Sequence, residues 1–353
     1  MHAELRWFVF TLNLVTRRNR VIAVVSDKPP DRERDMRNAT CWAVSLLIPL
    51  SVFSFRSVCG EDFQFEFAYT SNCIKGQTGI YLHTKGGDQL VSGSFTVAEA
   101  PSWSPDGRQI AFQAKVEDRW DIYVMDLDSR KHRNLTCDAH GDFHPVWSPD
   151  GLTIAFYSDR SSPARIWLVN SDGTNLREFP IEIPGIADFS WSPDGRQIVF
   201  CANERVTDQN ALRPEFGIDQ EKDVYVASCD GNDLRRITKG RSMAMMPSWS
   251  PDGKQIVFAL TTKPGNLSEI QIYVVNIDGT GLKKLTNDPG QNMCPKWSPD
   301  GSRVLFYNQP PSNGTSTPRL ICVSADGTGT SIIDVGESGG YFPDICRQSL
   351  TKR

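Results

Sequence analysis

Two of the chain's five histidines fall within one short segment, Cys137-Asp138-Ala139-His140-Gly141-Asp142-Phe143-His144. Imidazole and carboxylate together suit a borderline divalent metal, so His140, Asp142 and His144 are candidate ligands. The same polar composition also suits a solvated connecting loop. A second segment, Gly336-Glu337-Ser338-Gly339-Gly340, satisfies the GxSxG pattern of a nucleophile elbow. No histidine follows His144, so a Ser, acid, His order cannot be completed and a flexible Gly-Ser loop is expected instead. The nine cysteines lack any CxxC spacing, which implies neither a zinc knuckle nor a disulfide framework. Cys201 and Cys229 are the best candidates for a staple between neighbouring strands, with two separate buried thiols as the alternative.

Those residues need elements to hold them, and an internal repeat supplies the elements. WSPDG occurs at Trp103, Trp147, Trp191, Trp249 and Trp297, each copy running into an alternating stretch such as Gln255-Ile256-Val257-Phe258. That period of two marks a half-buried strand. Further strands are expected at 121–127, 165–171, 223–229, 271–277 and 319–325. Asp172-Gly173, Asp230-Gly231, Asp278-Gly279 and Asp326-Gly327 then provide tight turns into a last strand. Within WSPDG the proline presets φ, the aspartate can accept from nearby amides, and the glycine takes the left-handed conformation. Units of four short strands that cannot bury both faces alone stack radially into a propeller.

The chain ends complete the count. Strands at 67–71, 79–85 and 88–93 lack a first partner, and Tyr341 to Cys346 can supply it, with Ile345 standing where the tryptophan stands elsewhere. The expectation is an all-β, six-bladed propeller over 61–348, closed by its C-terminal strand, with a short tail at 349–353. Trp103, Trp147, Trp191, Trp249 and Trp297 would pack between blades.

Residues 1–60 read as an N-terminal extension and export signal. Trp42 to Phe55 holds 14 residues without a charge, too few for the roughly 20 that span a bilayer and suitable for a secretory signal. Val58-Cys59-Gly60 offers a cleavage site before Glu61, with retention as an anchor the alternative. Translation is expected to begin at Met36, since the apolar run Trp7 to Val15 and the charge-dense tracts after it could not fold alone. The whole chain carries 38 Lys+Arg against 42 Asp+Glu, giving none of the positive field that phosphate binding needs. A nucleic-acid partner is therefore not expected. Asn38, Asn134, Asn266 and Asn313 open Asn-x-Ser/Thr sequons, which matter only in a eukaryotic secretory route.

PSWSPDGRQIAF followed by DIYVMD resembles the repeat of TolB-type propellers, also found in the propeller halves of prolyl-oligopeptidase relatives. Trp120-Asp121 does not recur, so WD-repeat proteins are less similar. For TolB the resemblance implies a secreted, periplasmic protein that binds other envelope proteins; the α/β domain that precedes its propeller is absent from this sequence. Some lyases of similar architecture use histidine-bound metal, which makes a metal-dependent oligosaccharide lyase the alternative.

Strand parity puts all WSPDG and Asp-Gly turns on one face. The other face receives the His140 to His144 link and a long loop, Ala202 to Lys222, with Arg213, Pro214 and Phe216 as contact candidates beside His140 and His144. The leading expectation is a periplasmic or secreted monomer, without cofactor or catalysis, that binds another protein or a glycan there.

Overall fold

The computed structural model describes residues 13–17, 20–24, 66–72, 78–84, 87–161, 164–183, 186–203, 221–240, 242–263, 268–311, 318–333 and 341–345. Met1–Phe55 and Arg56–Arg353 are two compact units. In the first, Asn13–Arg17 pairs antiparallel with Arg20–Val24, placing Arg17 opposite Arg20. Two strands alone are marginal in water. Trp42 to Phe55 lies outside the described residues. Among the described residues no helix is long and apolar enough to cross a membrane.

The second unit is built of four-stranded antiparallel sheets. Four are separate: they begin with Asp142–Trp147, Ala187–Trp191, Met243–Trp249 and Gln291–Trp297, and each runs in sequence order. A fifth set, Val97–Trp103, Gln109–Val116, Arg119–Asp126 and His132–Asn134, is joined to a further set by one parallel pair, Thr78 with Val97. That further set is split between the ends of the chain. Tyr341–Ile345 pairs antiparallel with Phe67–Asn72, which pairs with Thr78–Thr84 and then Gly87–Leu90. The expected strands are found with bounds shifted by at most three residues.

Alternation explains the core. In each WSPDG unit the second strand buries a phenylalanine completely, at Phe112, Phe156, Phe200, Phe258 and Phe306. The apolar side chains fall into clusters that each span two consecutive sheets: Trp147 packs with Val124 and Ile122, Trp191 with Leu168 and Ile166, Trp249 with Val199 and Val226. Trp297 packs with Val257 and Val274, and Trp103 with Ile80 and Leu82. Ile345 occupies the corresponding place against Leu305 and Cys322. All five tryptophans thus seal one sheet against the one before, as their repetition implies. First strands also touch in succession, and Tyr341–Ile345 contacts both Gln291–Trp297 and Val97–Trp103.

The WSPDG turn is a small hydrogen-bonded machine. In the fourth copy Ser250 Oγ donates to Asp252 Oδ1 at 2.7 Å, Asp252 Oδ1 accepts from the Lys254 amide at 3.1 Å, and the Gln255 amide donates to Ser250 Oγ at 2.9 Å. Gly253 sits at φ +72°, where a side chain is strained. The same bonds recur around Ser104, Ser148, Ser192 and Ser298. Donation from the serine hydroxyl holds the Asp194, Asp252 and Asp300 carboxyls below the ordinary aspartate range. The Asp-Gly turns repeat the device: Asp278 Oδ1 accepts from Thr280 N at 2.9 Å and from its hydroxyl at 2.6 Å.

Candidate functional site

The first strands carry a feature that repeats three residues before each tryptophan. Ala100, His144, Asp188, Met246 and Cys294 all have positive φ, between 44° and 55°. Each coincides with a break in pairing register, as between Glu99 and Ser102 or between Met245 and Ser248. These are β-bulges, which re-aim a side chain out of the regular pleat. A left-handed non-glycine residue costs on the order of 1–3 kcal/mol and is held by its surroundings. Here the neighbours hold the amides: Ala100 N donates to Thr70 Oγ1 at 3.1 Å, His144 N to Gln113 Oε1 at 2.8 Å, and Met246 N to Asp188 Oδ2 at 3.1 Å. Proline follows at Pro101, Pro145, Pro247 and Pro295, favouring a non-helical residue before it.

All five bulge residues line one cavity of about 90 Å³, with Phe189, Lys296 and Pro343. Six first strands, from Val97–Trp103 to Tyr341–Ile345, thus contribute to the wall of this cavity. A second cavity, nearer the WSPDG turns, is lined by Ser102, Val146, Ser190, Lys296 and Asp344. Lys296 Nζ lies 3.7 Å from Asp344 Oδ1, and Asp344 Oδ2 accepts from the Trp103 amide at 2.9 Å. Asp344 therefore ties the last strand to both neighbours. The His144 imidazole is held below its ordinary pKa by burial, reinforced by Lys296 and opposed by Asp188.

The candidate metal ligands are not gathered. Asp142 begins a strand, is fully buried, and accepts from Arg160 Nη1 at 2.5 Å. Arg160 also bonds Asp138 and lies 5.5 Å from the Phe156 and Trp167 ring centroids. Burial pushes the Asp142 carboxyl up despite that partner. His140 sits near the surface with Nδ1 3.4 Å from Asp159, whereas His144 lines the bulge cavity. Two residues apart in an unbroken strand, Asp142 and His144 would share a face, but the bulge at His144 breaks that relation. Among the described residues, no three of His, Cys, Asp and Glu are grouped to hold a metal.

The cysteine staple is also corrected. Cys201 is opposite Val224 near the end of Gln197–Ala202, while Cys229 follows Ser228, whose partner is Gln197. In an antiparallel pair the C-terminal ends of both strands lie at opposite ends of the ladder. The two thiols are not bonded to each other, and Cys229 Sγ donates instead to the Gly195 carbonyl at 3.2 Å. Arg213, Pro214, Phe216 and Ser338 lie outside the described residues. Asn134 is engaged by Asp121 and Tyr123, and the bulge ring itself went unnoticed in the sequence although X-Pro before Ser/Val/Lys-Trp marks four of its members.

The TolB β-propeller domain family matches residues 64–213 and 214–345. The chain belongs to that family. Among solved structures, TolB from Acinetobacter baumannii is 18% identical with a TM-score of 0.65, covering 81% of this chain and 67% of its own. The TolB-designated protein of Agrobacterium tumefaciens is 21% identical with a TM-score of 0.56, covering 76% of this chain and 88% of its own. An oligogalacturonate lyase in complex with manganese is 16% identical with a TM-score of 0.50, covering 76% and 72%. These likenesses carry the fold. No curated protein matches the sequence.

Proposed function

We propose that this TolB-family chain is an exported, non-catalytic propeller of six blades, its ring closed by Tyr341–Ile345, that binds another protein at the bulge-lined mouth of its axis. One observation carries the reading. At five positions of equal backbone geometry the side chains are Ala100, His144, Asp188, Met246 and Cys294, so a constant frame presents differing chemistry to one cavity. Ligand-contacting residues are expected where a rigid scaffold supports variation. The strand parity that separates this mouth from the uniform turns also brings the base of the 204–220 segment to it: Lys222 bridges to Met243 at the start of a first strand.

The circuit of first-strand contacts supports six blades, and Ile345 in the tryptophan's place supports closure. Separation of His140, Asp142 and His144 weighs against the metal-dependent lyase. A glycan could occupy the same mouth, and would be read as an outcome of the test. A photo-crosslinking residue at Lys222 samples the mouth, while one at Leu152, 66% exposed and next to a WSPDG turn, samples the other face. In an envelope fraction the first should yield a discrete protein adduct and the second none. Adducts only from Leu152, or release of unsaturated sugars from acidic oligosaccharides by the purified chain, would refute the reading. Export is tested by intact mass, which should place the mature start near Glu61; a mature protein beginning at Met1 would refute it.

A further inference from the structure

We propose that Cys294 and Met246 form a site for a soft monovalent cation, Cu(I), at the mouth of the axis. Cys294 Sγ lies 3.3 Å from Met246 Sδ. The two residues are 48 positions apart in sequence, and what brings them together is the bulge: both have positive φ, on first strands that contact each other, and both line the bulge cavity. Cys294 is not in a disulfide. Equivalent positions elsewhere carry Ala100, His144 and Asp188, so this is the one place among the described bulges where two sulfurs meet.

Thiolate and thioether are the soft donors that select Cu(I) over the harder divalent ions. A two-sulfur set suits that closed-shell ion, which accepts low coordination numbers. Met246 is partly buried, unbranched, and able to swing about three bonds; rotation widens the gap so that an ion can enter between the sulfurs. Cys294 is held by the buried strand, 7% exposed, and its proline neighbour Pro295 fixes the backbone after it. Binding replaces the thiol proton with the metal: Cu(I) adds to sulfur, the S–H bond breaks, and the proton goes to solvent, without oxidation or reduction. The proposal is independent of what the rest of the mouth captures.

The test uses the full chain, reduced, titrated with Cu(I) in competition with a chromogenic Cu(I) chelator. Cys294→Ser and Met246→Leu should each weaken the tightest equivalent more than about tenfold, while Cys137→Ser, on an exposed cysteine, should leave it unchanged. Met246→Leu conserves volume and folding, so it decides the matter even if Cys294→Ser misfolds. X-ray absorption of the one-equivalent complex should show a sulfur-only shell that gains oxygen or nitrogen in Met246→Leu. Equal affinity in Met246→Leu and the parent chain, or loss of the tight site in Cys137→Ser alone, would overturn the assignment.

Discussion

The turn at the end of each first strand and the bulge within it are built to opposite rules. At the C-terminal end five WSPDG turns repeat the same serine, aspartate and glycine geometry, with glycine φ between 69° and 73°. At the bulge, three residues before each tryptophan, the backbone is equally repetitive, yet the side chains run from Ala100 to Asp188 to Cys294. The difference teaches that repetition in sequence reports what the fold needs, and that repetition in backbone with variation in side chain marks where a ligand can be met. A change at the turn end should therefore cost stability, and a change at the mouth should cost binding or pH response.

The largest break comes from the strand that both ends share. Deleting 340–353 removes the partner of Phe67–Asn72, the Ile345 contact with Leu305 and Cys322, and the Asp344 bonds to Trp103. It exposes a strand edge and part of a core cluster, which should cost several kcal/mol and lower the melting temperature steeply. An unchanged melting curve would contradict the closed six-bladed ring.

Next comes the turn itself. Ser250 is 3% exposed and both donates to Asp252 and accepts from Gln255. Ser250→Ala leaves the part-buried Gln255 amide without that acceptor and takes one of two donors from Asp252 Oδ1, at a cost of about 1 kcal/mol in chemical denaturation. Ser192→Ala should add to it, because distant sites in separate units combine nearly independently. A neutral result would show that the repeated serine is not structural.

Such turns were legible because every one of their residues recurs in the string, down to the glycine at positive φ. The serine's double role was missed since the pattern gives identity but not bonding. The bulge was missed for a different reason: alternation predicts which residues are apolar, while a bulge is a register event between strands and leaves only the X-Pro trace at Ala100, His144, Met246 and Cys294. The metal trio failed on that same event, and the Cys201 to Cys229 pairing failed on strand direction. Nothing in the sequence signals that Asp142 is spent on Arg160, because their meeting needs the turn between them.

A smaller effect should appear at the mouth as pH falls. His144 has its pKa depressed by burial, so below its ordinary value of 6.5 the unfolded chain binds a proton that the folded chain refuses. Stability contributed by the neutral ring is present above that value and falls as pH drops toward the folded pKa. Asparagine tolerates the left-handed conformation, so His144→Asn should keep the fold and reduce the loss of melting temperature between about pH 7.5 and about pH 5. The acid limb at lower pH, set by Asp194, Asp252 and Asp300 with their depressed pKa values, should remain. If the variant reproduces the parent's whole profile, His144 is not titrating in the folded protein's cavity.

The smallest stability effect, and the sharpest contrast, belongs to the 204–220 segment. Its flanks are set by the ladder, where Ala202 pairs with Asp223, so the chain ends to be joined are a strand spacing apart and a short turn can bridge them. Shortening a loop fourfold changes closure entropy by only about 1.2 kcal/mol, in the stabilising direction. Replacing 204–220 with a four-residue turn should therefore leave melting unchanged or slightly raised, while the crosslinked adduct from Lys222 disappears. Loss of folding would assign the segment to the scaffold. An undiminished adduct would confine recognition to the bulge ring, where Met246 and Asp188 become the residues to vary.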